Sequence, residues 1–300
     1  MLTNSKELLL KAKKEKKAVG AFNFTTFEQL KAIITACKNL NTGCILATSE
    51  SAIKFMGIKN IVNVVKNETS KTKIKFALHL DHGKSYEICK QCIKEGYTSV
   101  MIDASHLPYE ENVKLTKKVV HFAKKYNVSV EAELGKLQGV EDNVNSLENV
   151  LTNPNEAKDF INKTNIDSLA VSIGTSHGAY KFKGESKLQI GLLKEINKVT
   201  NNFPLVLHGA SSVNKNLVKQ FNNAGGNITN AVGVSNISIK DAINNGICKI
   251  NVDTDLRIAF TTGVRETLKN QTCFNLRDYL SLGMYEMINE VEKRIKLFNN

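Results

Sequence analysis

The chain has 300 residues, 42% of them hydrophobic and 23% charged, ordinary values for a globular protein long enough to bury a sizeable core. Its formal charge of +12, from 41 Lys and Arg against 29 Asp and Glu, attracts polyanions: nucleic acid or small phosphorylated molecules. No apolar run reaches the roughly 20 residues needed to span a bilayer. No linker, low-complexity tract or internal repeat interrupts the chain. The expectation is one domain over 1–300, cytoplasmic and not membrane-bound.

The N-terminal stretch MLTNSKELLLKAKKEKKAVG sets a short apolar patch among lysines and lacks the apolar core and cleavage site of a signal peptide. Apolar, β-rich runs then recur: AVGAFNF from Ala18, GCILATS from Gly43, FALHLDH from Phe76 and SVMIDAS from Ser99. They continue with VSVEAEL from Val128, SLAVSIGT from Ser168, PLVLHGA from Pro204 and ICKINVDT from Ile247. Their near-continuous hydrophobicity predicts parallel strands covered by helices. Between them, Phe27 to Leu40 and Tyr109 to Tyr126 show the helical period, with lysines on the outward side. Ser85 to Lys94 reads as a helix opened by a capping serine and closed by Gly96, and Asn155 to Lys163 and Gln189 to Lys198 continue the alternation. The polar, Gly-rich stretch from Phe221 to Asn236 reads as a loop before the eighth strand.

Eight strands alternating with helices predict an α/β fold, the (β/α)8 TIM barrel. An open doubly wound sheet is the alternative, but it has fewer strands and usually a Gly-rich first turn, and no GxGxxG follows the first strand here. The six cysteines are scattered and suggest no disulfide framework, which fits a reducing setting. Cys89 and Cys92 form a single CxxC inside a helix; with no second pair to complete a four-thiolate site, they read as one packed helix face.

Three histidines stand at strand ends: His82, His177 and His208. In a barrel these ends face one rim, where three imidazoles make a plausible catalytic metal site with open coordination positions. His79 lies inside a strand and reads as packing, His121 as helix surface, and His106 as a loop residue near the rim. Asp81 adjoins His82, Asp103 ends the fourth strand, Glu133 ends the fifth, and Glu141 and Asp142 follow in a loop. Positioned carboxylates at such a rim supply a proton donor and acceptor. GTSHGAYKFKG, HGASS and INVDTD bring glycines, hydroxyls and Lys181 to the loops where barrels often hold phosphate.

Together HLDHGKS, SVMIDASHLPYEENV, VEAELGKLQGVED, GTSHGAYKFKG, LHGASS and KINVDTDLR resemble the class II fructose-bisphosphate aldolase family, from about Ala18 into the C-terminal helix. The resemblance implies a zinc ion held by His82, His177 and His208, with Asp103 and Glu133 at a second divalent-metal position or an alternate resting place for the zinc. It makes Asp81 the acid/base for the C4 hydroxyl proton and Glu141 the loop carboxylate that exchanges a proton with the triose carbanion. It assigns Gly178, Gly209, Ser211, Asp253 and Thr254 to the ketose-end phosphate, Asn251 to the enediolate, Ser49 to the aldehyde half and Lys181 to the phosphate loop. A monovalent cation often assists in this family. Arg277 matches an arginine that reaches a neighbouring subunit's site, implying a homodimer or homotetramer. The Gly225 to Gly233 segment is longer than in many members.

The substrate implied is a small-molecule sugar bisphosphate, fructose 1,6-bisphosphate. Tagatose-1,6-bisphosphate aldolase is the close alternative; it usually has NVAT where this chain has NVDT, so Asp253 discriminates. A Schiff-base lysine such as Lys249 is a second rival, but it needs no histidine triad. Nucleic-acid binding is not expected, because the lysines are spread over many helices without an aromatic platform or a recognised motif.

Overall fold

The computed structural model describes residues 1–136, 138–141, 144–146, 150–177, 188–229, 231 and 233–299, giving the backbone alone for 138–141, 144–146, 176 and 177. The chain runs α1 (Ser5–Lys14), β1 (Val19–Asn23), α2 (Phe27–Asn39), β2 (Cys44–Thr48), α3 (Glu50–Met56), α4 (Ile58–Ser70), β3 (Phe76–Gly83) and α5 (Tyr86–Glu95). Next come β4 (Ser99–Ile102), α6 (Tyr109–Lys124), β5 (Ser129–Leu134), β6 (Gln138–Glu141), β7 (Val144–Ser146), α7 (Pro154–Thr164), β8 (Ser168–Val171), β9 (Ser176–His177) and α8 (Ile190–Val199). The last elements are β10 (Leu205–Leu207), α9 (Lys215–Asn223), α10 (Asn236–Asn244), β11 (Ile247–Val252), α11 (Thr254–Leu268) and α12 (Leu276–Asn299).

Eight parallel strands close a barrel in the order β1-β11-β10-β8-β5-β4-β3-β2, the (β/α)8 fold expected from the sequence. Each predicted apolar run coincides with one barrel strand, β3 running one residue further, to Gly83. Such strands are continuously apolar because one face packs on helices while the other lines the barrel, and β2 is buried at every position. The core lies mainly between strands and helices, where Phe22, Leu46, Leu78, Val130 and Ile250 meet Leu30, Ile33, Val65, Phe160 and Ile196.

Helix signals act as read. Ser85 Oγ accepts from Ile88 N at the start of α5, and Gly96 closes the helix as its left-handed cap. Cys89 and Cys92 pack into the core from this helix, and burial pushes both thiols up. The stretch from Phe221 to Asn236 is a loop only in part, because Phe221 to Asn223 complete α9. The N-terminal lysine-rich stretch forms α1, whose apolar stripe was not singled out as a helix. Leu8, Leu9 and Ala12 seal one end of the barrel against Val19, Ala21, Ile45 and Ala77. Each such leucine contributes on the order of 1.5–3 kcal/mol by leaving water. The barrel interior above this plug departs from the apolar filling usual in the fold: Ser99, Ser129, His79, Glu131 and Lys249 are all buried there.

Candidate active site

Along β3, His79 and Asp81 share the inward face by the two-residue period. His82 would then point outward, but its backbone is left-handed, at φ 48°, and the register with β4 shifts between Leu80 and Gly83. A non-glycine residue held there is strained, and the irregularity turns two consecutive side chains toward one cleft. That cleft is lined by Asn23, Asp81, His82, His208, Gly209, Ala210, Ser211, Asn251 and Asp253.

Asp81 is fixed from both sides, Oδ2 accepting from Asn23 Nδ2 and Oδ1 from Asn251 Nδ2, each at 2.9 Å. Burial opposes ionisation of Asp81, but the His82 and His208 rings and the Lys249 charge outweigh it and hold the carboxyl well below the usual carboxylate range. The amide oxygens of Asn23 and Asn251 are buried acceptors without a hydrogen-bond partner among the described residues, and both residues line the cleft. They are placed to accept hydrogen bonds from hydroxyl groups of a bound ligand.

His82 Nδ1 lies 2.7 Å from Asp103 Oδ2 and 4.0 Å from Glu133 Oε2. Its Nε2 lies 2.8 Å from His208 Nδ1. Burial alone would lower the pKa of His82, but the Asp81 charge and the Asp103 bond raise it to about 10. Burial, then the Asp103 charge, push the Glu133 carboxyl well above its ordinary value.

Ligand atoms of Asp81, His82 and His208 all lie within 4.8 Å of one another, and so do those of His82, Asp103 and Glu133. Two imidazoles with carboxylates form a donor set suited to a first-row divalent ion. Glu133 Oε2 adds a buried oxygen without a hydrogen-bond partner among the described residues, the kind of group a cation satisfies. The residues present therefore fit a divalent metal.

Beneath the cleft lies a set of buried groups that the sequence reading did not connect. His208 Nε2 contacts Glu131 Oε1 at 2.8 Å, and Lys249 Nζ donates to both Glu131 oxygens at 2.9 and 2.8 Å. Lys249 Nζ also lies 3.3 Å from His79 Nε2, whose Nδ1 lies 2.7 Å from Ser99 Oγ. Burial and then the Lys249 charge lower the His79 pKa to about 3, so the ring is neutral at physiological pH. His79 thus has buried polar partners besides the packing role expected for it. The signal that would have found this set is the two-residue period itself, which puts Glu131 beneath Glu133 and Lys249 beneath Asn251.

At the rim, β10 leads into Gly209, whose φ of 60° turns the chain, and on to Ser211 and Ser212. The loop is pinned from below by the fully buried Asp255, Oδ2 accepting from Ser212 N at 2.9 Å and Oδ1 from Val213 N at 2.8 Å. This holds Val213 at φ 43°, a strained position for a β-branched residue. Arg294 of α12 donates to Ser212 Oγ at 2.5 Å and pairs with Asp255 Oδ2 at 3.2 Å and Glu290 Oε1 at 2.8 Å. Gly233 presses on the loop so closely that a Cβ there would sit 2.2 Å from Ser211 O. Asp253 caps this corner with Arg257 forked onto its carboxylate at 2.8 and 2.7 Å, and Thr254 begins α11, whose N-terminal amides suit an anion.

Ser49 caps α3, its Oγ accepting from Ala52 N at 3.3 Å. His106 and His121 are exposed. Arg277 is exposed in the first turn of α12, beside Asn275. The side chains of His177 and Glu141 lie outside the described residues, as do Gly178, Lys181 and Asp142 altogether. The strands that carry His177 and Glu141 are neighbours: β9 pairs with β6, with His177 opposite Gly139.

A family model described as Fructose-bisphosphate aldolase class-II matches residues 3–300. A fructose-bisphosphate aldolase of Helicobacter pylori is 47% identical over 304 residues, covering 100% of this chain and 99% of its own. The one from Thermus caldophilus is 46% identical over 303 residues, covering 100% and 99%. Among solved structures, the YdjI aldolase from Escherichia coli K12 superposes with a TM-score of 0.80 at 27% identity, covering 99% of this chain and 97% of its own. A full-length family match and relatives of this identity, on a barrel whose mouth carries this donor set, place the chain in the class II fructose-bisphosphate aldolase family.

Proposed function

We propose that this class II aldolase cleaves fructose 1,6-bisphosphate reversibly into dihydroxyacetone phosphate and glyceraldehyde 3-phosphate, serving glycolysis and gluconeogenesis, with zinc held by His82, His177 and His208. The observation that carries the reading is Asp81 fixed between two asparagines beside two neighbouring imidazoles. Asp103 and Glu133, next to His82, suit a second divalent-metal position. When bound, the metal supplies a Lewis acid that polarises the ketose carbonyl.

Asp81, ionised at neutral pH, takes the C4 hydroxyl proton as the C3–C4 bond breaks and its electron pair passes to C3. Asn23 and Asn251 hold the carboxylate in line, and their amide oxygens receive substrate hydroxyls. Glu141 returns a proton to C3. Gly209, Ser211, Asp253 and Thr254, with Gly178 and Lys181, receive the ketose-end phosphate on the loop that Asp255 and Arg294 brace. Ser49 serves the aldehyde half. Arg277, exposed in its own subunit, reaches the aldehyde-end phosphate of a neighbour in a homodimer or homotetramer, where its planar fork donates two parallel hydrogen bonds.

The relatives named above are fructose-bisphosphate aldolases, and Asp253 stands where the tagatose branch usually has a small residue. A Schiff-base role for Lys249 conflicts with its geometry, because it is fully buried and donates to both Glu131 oxygens. Stripping metal with a chelator is expected to abolish cleavage, and added zinc to restore it, while borohydride traps no covalent adduct. Full activity in metal-free protein overturns the reading.

A further inference from the structure

Lys249 is a buried amine in an enzyme whose reaction does not consume it, and its surroundings fix what it does. An ammonium has three protons and no lone pair. Lys249 Nζ faces three acceptors: Glu131 Oε1 at 2.9 Å, Glu131 Oε2 at 2.8 Å and His79 Nε2 at 3.3 Å. Glu131, gripped this way, is a carboxylate that only accepts. The ring nitrogen 2.8 Å from its Oε1, His208 Nε2, therefore carries the hydrogen. In a neutral imidazole one protonated nitrogen leaves the other as a lone pair. His208 Nδ1 then offers that lone pair toward His82 Nε2, 2.8 Å away, on the side of the cleft.

We infer that Lys249 and Glu131 are positioning residues that lock His208 into its Nε2–H tautomer and turn Nδ1 to the metal. The inference rests on the proposal that His208 is a metal ligand. The lysine's share is to neutralise Glu131, since a lone carboxylate inside the barrel would take up a proton and lose its acceptor-only character. An apolar filling of the barrel would supply neither the acceptor nor the charge that keeps it one. Outer partners of this kind typically set metal affinity by roughly 10–100-fold.

Two double variants isolate the acceptor without leaving an unpaired buried charge. Glu131→Gln with Lys249→Met keeps a carbonyl facing His208 Nε2; Glu131→Met with Lys249→Met removes it. Zinc affinity, measured by competition with a chromophoric chelator, is expected to be roughly 10–100-fold weaker in the second than in the first. Equal affinities in the two, with tight binding by the unmodified protein, overturn the inference and leave the metal assignment standing. Failure of the unmodified protein to bind zinc sinks the metal assignment itself. Long-range nitrogen–proton NMR on the unmodified, metal-stripped protein needs no variant to fold. His208 carrying its proton on Nε2 is the expected result, and a proton on Nδ1 overturns the inference.

Discussion

Beneath the cleft, Glu131, Lys249 and His79 come from three different barrel strands and meet fully buried. At the rim, Asp255 and Arg294 come from helices α11 and α12 and meet just as deeply, but they hold a loop backbone in place of a ring. Both are buried ion pairs, and a buried pair is seldom the cheapest filling for a core. The difference lies in what each pair grips. The inner pair faces an imidazole at the metal-binding cleft, whereas the outer pair faces the amides of Ser212 and Val213 beside Ser211. On the proposed function, one acts on the metal centre and the other on the seat of a substrate phosphate. Damage to the two regions should therefore appear in different measured quantities.

The largest effect belongs to neither pair but to the carboxylate between them. Asp81→Ala is expected to lower kcat by ~10²–10⁴, the range for a positioned acid/base. Zinc content by elemental analysis and KM should stay near normal; a variant that loses zinc yet turns over normally once it is resupplied would refute the role. Arg294→Met breaks the outer pair on one side only, leaving buried Asp255 and Glu290 without the guanidinium that neutralises them. It is expected to cost roughly 3–5 kcal/mol in urea unfolding. It should also raise KM for the bisphosphate more than it lowers kcat, with zinc affinity unmoved. Weakened zinc binding in Arg294→Met would erase the contrast between the two regions. The smallest effect is one of selectivity: Asp253→Ala should lose most of the preference for fructose over tagatose bisphosphate, because a hydrogen-bonding site penalises a mismatched hydroxyl. An unmutated enzyme that prefers the tagatose epimer would contradict that assignment.

How much of this was legible in the sequence follows the same division. The barrel was readable because strands covered on both faces leave unbroken apolar runs such as GCILATS. His82 and His208 stood out because each closes such a run. Glu131 did not, since the reading of VSVEAEL stopped at the strand end and passed over the residue two places earlier on the same inward face. Lys249 was noticed only as a rival nucleophile, because a sequence does not show that three acceptors surround its ammonium. Asp255 and Arg294 were invisible as a pair: Glu290 and Arg294 look like an ordinary i,i+4 surface couple, and only the packing of α12 turns them inward. Helix α1 was passed over for a simpler reason, because its lysines outnumber the few apolar residues that seal the barrel.

On the proposed function the metal is held by histidines drawn from three separate strand ends, with Asp81 beside it as the proton carrier. Anomalous diffraction at the zinc edge, on crystals of the zinc-loaded protein, tests it most directly. The expected result is a strong peak ligated by His82, His177 and His208, with Asp103 and Glu133 at most an additional, weaker position. Zinc found only on Asp103 and Glu133, or ligated without His177 and His208, would contradict it.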